Sequence, residues 1–132
     1  MPLPTALVLG HDLIDAQHDH LLDLIARLQG CSRPDGAIAD MVSFMRQHFR
    51  DEEEAIALRD QEVALDHGAT HRVIAMQVLD IVAGMQAGGC PDRASRSISA
   101  ILLEHIVTED RMLKRLFSLP EPRHLTLPRG TE

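Results

Sequence analysis

The sequence predicts an all-α protein, an up-down-up-down antiparallel four-helix bundle, and three observations carry that prediction. Apolar residues recur at three- and four-residue steps in four segments of similar length. Short runs of turn-forming residues or a charged break separate those segments. The core material is Leu, Ile, Val, Ala and Met, with no Trp or Tyr and only 3 Phe, which suits close helix packing better than an aromatic-rich sheet.

Taken in order, residues 1–11 carry Pro2, Pro4 and Gly10 and read as an extended N-terminal arm. Asp12 is a sensible cap for a first helix whose stripe is Leu13, Ile14, Gln17, His18, Leu21, Leu22, Leu24, Ile25 and Leu28, with Gly30 as its stop. The turn-rich segment 29–36 leads into a second helix from about Ala37 to the region of Leu58. Its inward stripe is Ile38, Met41, Val42, Phe44, Met45, His48, Phe49, Glu52 and Ile56. The break that follows is charged but lacks glycine and proline, and a third helix starts near Glu62. That helix carries His67, His71, Ile74, Val78, Leu79, Ile81, Val82 and Met85. Gly88, Gly89 and Pro91 end it, and a fourth runs from about Arg93 to Phe117 with Ile98, Ile101, Leu102, His105, Ile106, Leu113 and Leu116. The remaining Pro-rich C-terminal tail has no periodicity and reads as an extended strip.

A chain of 132 residues is the size of a single domain, here residues 1–132 with the bundle core at about 12–117. The net charge of −7 argues against a nucleic-acid surface, which needs clustered Lys and Arg. No apolar run approaches the roughly 20 residues of a transmembrane helix, and the N-terminus lacks the basic region of a secretory signal. Cys31 and Cys90 form no disulfide framework and no CxxC. They fall in two loops at one end of the bundle and read as unrelated thiols. The setting these features predict is soluble and cytoplasmic.

The polar residues inside the apolar stripes all fall at one depth. The connections near Gly30 and Gly88 lie at the same end of such a bundle. Measured from there at about 1.5 Å per residue, His18 lies roughly 18 Å down, His48 and Glu52 roughly 16 and 22 Å, His71 and His67 roughly 22 and 28 Å, and His105 and Asp110 roughly 16 and 24 Å. The pairs His48–Glu52 and His67–His71 are each four residues apart, one helical turn on one face. Either pair alone describes many surface helices, and a lone His18 is an ordinary core histidine. So are His11, His20 and His124, at arm, exposed face and tail. The conjunction is different: five histidines in one layer of an apolar core are costly unless something takes up their lone pairs. Imidazole and carboxylate ligate first-row metals. The spacing leaves the fourth helix's carboxylate open between Glu109 and Asp110, with a local loosening of the helix as the way Asp110 would reach inward. The acidic run Asp51–Glu54, apart from Glu52, reads as a solvated face.

The segments IDAQH (14–18), HFRDEE (48–53), HGATH (67–71) and HIVTED (105–110) resemble the hemerythrin family, in particular single-domain bacteriohemerythrins. The resemblance covers residues 12–117 and the order and spacing of all seven motif residues. It implies a non-haem site of two iron ions, cycling between Fe2+ and Fe3+, with a bridging oxo or hydroxo group. His67, His71 and His105 would ligate one iron, and His18 and His48 the other. Glu52 and Asp110 would bridge them, which decides for Asp110 over Glu109. The irons would pass two electrons and a proton to dioxygen and recover them on release.

Two departures from the family pattern stand out. Ile101 holds a position commonly taken by Trp, and Gln61-Glu62 replaces a frequent Tyr-Pro. Leu102 matches the leucine that lines the gas pocket. A pocket walled by Ile101 and Leu102 is expected to admit more water and to lose bound oxygen faster by oxidation. The reading that follows is an oxygen carrier, store or supplier, a binding protein more than an enzyme, with its electron donor open. The competing readings are a redox enzyme acting on peroxide or nitric oxide, and an oxygen or redox sensor using the same site.

Overall fold

The computed structural model describes residues 7–29 and 34–118, the side chains of residues 109–111 excepted. Four helices account for the bundle: α1 (Asp12–Gln29), α2 (Asp35–Ala57), α3 (Gln61–Gln86) and α4 (Pro91–Phe117). Each packs on the next, and α4 closes the ring against α1. Short connections make consecutive helices antiparallel. Among the described residues no strand occurs, and no helix is long and apolar enough to cross a membrane.

Local chemistry explains the boundaries. The cap of α1 is His11 rather than Asp12: its Nδ1 accepts the Ile14 N–H at 3.3 Å, and its carbonyl accepts the Asp15 N–H at 2.8 Å. Asp15 reaches back to take the N–H groups of Leu9 and Gly10 at 2.7 and 3.1 Å. The part of the arm from Leu7 to His11 is therefore folded onto the bundle, with Leu9 buried in its lower end. The charged break between α2 and α3 works because Asp60 caps α3, its Oδ1 accepting from Glu62 N and Val63 N. At the end of α3, Gly89 N bonds Gly84 O and Gly88 N bonds Met85 O, with Gly88 at φ 108°. That pattern of crossed bonds needs a left-handed residue, which glycine supplies without strain. Pro91 then opens α4, where its missing N–H costs nothing.

The core falls into two aliphatic bodies with a polar layer between them. The upper one is built from residues such as Leu21, Leu28, Ile38, Met41, Met45, Val78, Ile98 and Leu102. The lower one holds Leu9, Ile14, Ala55, Ile56, Ala64, Leu113 and Phe117. Each fully buried Leu, Ile or Met contributes about 1.5–3 kcal/mol, so both bodies hold the helices in place independently of the layer. The expected stripes hold in part: Leu22, Val42, Phe44, Ile81, Val82 and Met85 are half-buried, and Leu13 and Leu79, at the edges of their stripes, are exposed. Cys31, His124 and the tail from residue 119 lie outside the described residues. Cys90 is exposed with its thiol free.

Candidate metal centre

Between the two aliphatic bodies, all four helices turn imidazoles inward. His18, His48 and Glu52 are fully buried, and His67, His71 and His105 are no more than 7 % exposed. The 3.6-residue repeat accounts for this, since each histidine occupies a position that its helix would otherwise fill with Leu or Ile. Glu52 stands at the centre. Its Oε2 lies 3.2 Å from His18 Nε2 and 3.4 Å from His48 Nε2. Its Oε1 lies 3.2 Å from His67 Nε2 and 3.0 Å from His71 Nε2. His71 Nε2 is in turn 3.1 Å from His105 Nε2. Donor atoms of Glu52, His67, His71 and His105 form one group and those of His18, His48 and Glu52 another, each within 4.8 Å. One carboxylate, with one oxygen toward each group, joins the two.

The outer nitrogens decide what the inner ones can do. A carboxylate or amide oxygen only accepts, so His71 Nδ1–H donates to Glu53 Oε2 at 2.8 Å, and His48 Nδ1–H donates to Gln17 Oε1 at 2.8 Å. In the neutral imidazole this leaves the Nε2 lone pairs of both residues facing Glu52. His48 Nε2 and Glu52 Oε1 have no aligned hydrogen-bond partner despite their short distances. Lone pair against carboxylate at such distances is repulsive unless a metal ion or a proton lies between them. Burial raises the Glu52 pKa, but in the metal-free protein a proton in that place lets the imidazoles of His18, His48, His67 and His71 donate to the carboxylate, which outweighs burial and holds the group well below 4.5. An ionised, buried carboxylate ringed by imidazole nitrogens is a donor set that fits metal cations.

Six of the seven residues expected from the sequence are thus brought together. The seventh, Asp110, lies on α4, but its side chain, like that of Glu109, is outside the described residues. The backbone from His105 to Asp110 stays α-helical, without the expected loosening. Leu102 is buried in the upper body beside the layer. Ile101 is half-buried and faces outward between α3 and α4, in a groove of ≈ 220 Å³ shared with Thr70, Ile74, Glu104, His105 and Thr108.

The residues that support this set go beyond those expected from the sequence. Asp51 and Glu53 are not simply a solvated face. Asp51 Oδ2 accepts from Gln17 Nε2 at 2.8 Å, completing a relay to His48, and Glu53 holds His71. Phe49 lies flat on the His71 ring, centroids 3.9 Å apart and planes 5° from parallel. The signal was present in helical spacing: Gln17 adjoins His18, and Asp51 and Glu53 flank Glu52, so each points about 100° away from the layer toward a neighbouring helix.

The hemerythrin HHE cation-binding domain matches residues 9–117 of this chain. The chain belongs to the hemerythrin family. The buried cluster is accordingly its metal-binding site, on the four helices where the family domain lies. The hemerythrin chain matches no curated protein and no solved structure.

Proposed function

We propose that this hemerythrin is a single-domain, non-haem di-iron protein that binds dioxygen reversibly as a carrier, store or supplier. The observation that carries the reading is one buried carboxylate, Glu52, with the imidazoles of His67 and His71 against one oxygen and those of His18 and His48 against the other, His105 completing the first group. His67, His71 and His105 would hold one iron, His18 and His48 the second, and Glu52 with Asp110 would bridge them. When bound, the iron pair supplies the two electrons that dioxygen takes up and returns. A histidine-rich set of this kind differs from the Glu-rich, ExxH-bearing sites of ferritin-like proteins, and seven ligands exceed what one tetrahedral zinc uses. The side with two imidazoles has fewer protein donors, so the exogenous ligand belongs there.

The chain's own residues surround the layer with apolar groups: Leu21, Leu102 and Ile106, each one helical turn or less from a histidine of the layer, are buried in the core. Phe49 and Glu53 fix the His71 ring, and Gln17 fixes His48. A redox enzyme acting on peroxide or nitric oxide is the second reading, and Ile101 favours it. The groove it lines reaches His105 from outside with Thr70, Glu104 and Thr108, a path by which water meets the site. The free thiol of Cys90 suits a reducing, cytoplasmic setting.

The test is the visible spectrum of anaerobically reduced protein, before and after air, with iron counted per chain. A charge-transfer band that appears in air and fades under argon is expected. Immediate conversion to a permanently oxidised spectrum would move the assignment to the redox enzyme. Absence of iron would end both.

A further inference from the structure

We infer that Glu53 is a positioning residue of the metal centre, acting through His71 and seated against α3 by the missing side chain of Gly68. Glu53 follows Glu52 on α2 and so points about 100° round the helix, out of the core and onto α3. Its carboxylate is about one third exposed, whereas the His71 ring it touches is 2 % exposed. It is the link between the buried layer and the outer groove of α2 and α3, where Arg46, Arg50 and Arg72 stand.

Gly68 makes that reach possible. A Cβ built there would lie 2.8 Å from Glu53 Oε1 and 3.3 Å from its carboxyl carbon. Glycine inside a helix is unfavourable relative to alanine, so its presence in the middle of α3 asks for a reason. The backbone gives none, since the positive-φ glycines among the described residues are Gly10 and Gly88. Space gives one: the nearest obstacle to a side chain at 68 is the carboxylate that holds His71. Alanine would clash with the movable end of Glu53 alone, Arg72 Nη1 at 3.6 Å being an ordinary contact, so the helix would tolerate it and the carboxylate would shift off the imidazole.

Two consequences follow from a carboxylate on Nδ1–H. It fixes the tautomer and ring plane that aim Nε2 at Glu52 and His105. It also makes the imidazole a stronger donor, which favours the more oxidised metal at the three-histidine position. The opposite position has the neutral oxygen of Gln17 on His48 and lacks that charge.

This inference rests on the metal-binding reading and not on the gas bound. The experiment compares full-length wild type, Glu53→Gln and Gly68→Ala. Metal-free chains are titrated anaerobically with ferrous iron against a chromophoric chelator. Reduction potentials of the loaded chains and melting temperatures of the metal-free ones are also measured. Both variants should bind the more tightly held iron about 10–100-fold more weakly, and both should show a raised potential. The Gly68→Ala chain should nevertheless melt no lower than wild type, which a merely structural lesion would not give. Wild-type affinity and potential in both variants would overturn the role of Glu53. A Gly68→Ala chain that behaves as wild type beside a weakened Glu53→Gln would overturn the seat. A wild-type chain that takes up no iron would overturn the metal reading and this inference with it.

Discussion

The two sides of Glu52 are built from the same side chains and supported differently. One side has three imidazoles, from α3 and α4, and a carboxylate on an outer nitrogen, Glu53 on His71. The other has two, from α1 and α2, and there the outer acceptor is the amide of Gln17, with its charge one step further away at Asp51. The first side is richer in donors and in negative charge, the second poorer in both. Identical side-chain types thus yield unlike surroundings, which on the proposed reading make one position suited to hold its metal and the other to share it with a small molecule. The asymmetry lies as much in the residues behind the histidines as in their number.

The most severe way to break the comparison is to remove what the sides share. Glu52→Gln keeps the shape and deletes the charge that both groups face. Iron uptake should collapse on both sides together, whereas His48→Ala should spare the three-histidine position. Without metal, the same substitution removes the anionic partner of buried imidazoles, at a cost on the order of 3 kcal/mol. The pH dependence has a definite sign. Glu52 is held well below its ordinary 4.5, so its stabilisation is full above that value and is lost as pH falls through the folded value. Urea unfolding of the metal-free chains should therefore show a large gap between wild type and Glu52→Gln at neutral pH. The gap should narrow in acid, and a constant gap would mean that the charge contributes nothing.

A gentler change makes the sides alike. Gln17→Glu combined with Asp51→Asn moves the charge of the relay onto the residue that touches His48. If the outer acceptor tunes each position, the potential of the double variant should fall, opposite to the rise expected of Glu53→Gln. Iron affinity at the two-histidine position should rise by roughly tenfold. Gln17→Leu should instead weaken that position alone, because it leaves His48 Nδ1–H and Asp51 unmatched. Electrochemistry of the loaded proteins and chelator competition read both outcomes. Equal potentials across the series would show that the count of imidazoles, and not their backing, sets the asymmetry.

The buried polar layer was legible in the sequence because it obeys the helical repeat. His48 and Glu52, and His67 and His71, occupy positions where the stripe calls for Leu or Ile, so a polar residue there declares itself. The helix junctions were legible where chemistry is local, as at Gly88 and Pro91. His11 was not, because capping by an imidazole nitrogen follows no common pattern and depends on how the arm folds back. Asp51 and Glu53 were hidden for a related reason. Each is an acidic residue on an outward face, and only the neighbouring helix reveals that Gln17 or His71 lies opposite. Gly68 was hidden further still, since its meaning is the space it leaves for a side chain of another helix.

The smallest effect separates fold from site. Ser95 and Ser99 of α4 are buried, and their hydroxyls find no partner among the described residues. A buried hydroxyl without a hydrogen bond is destabilising, and replacing it by an apolar group of similar shape is neutral or favourable. Ser99→Ala should therefore stabilise the chain by up to about 1 kcal/mol, a rise of about 2–8 °C in melting temperature. Neither serine is among the groups that face Glu52, so iron affinity and the difference between the two sides should stay as in wild type. A Ser99→Ala chain with altered iron affinity would tie this hydroxyl to the centre and extend its support beyond Gln17, Asp51 and Glu53. A chain that is simply more stable would confirm that the aliphatic body of the bundle and the layer beneath it answer to different residues.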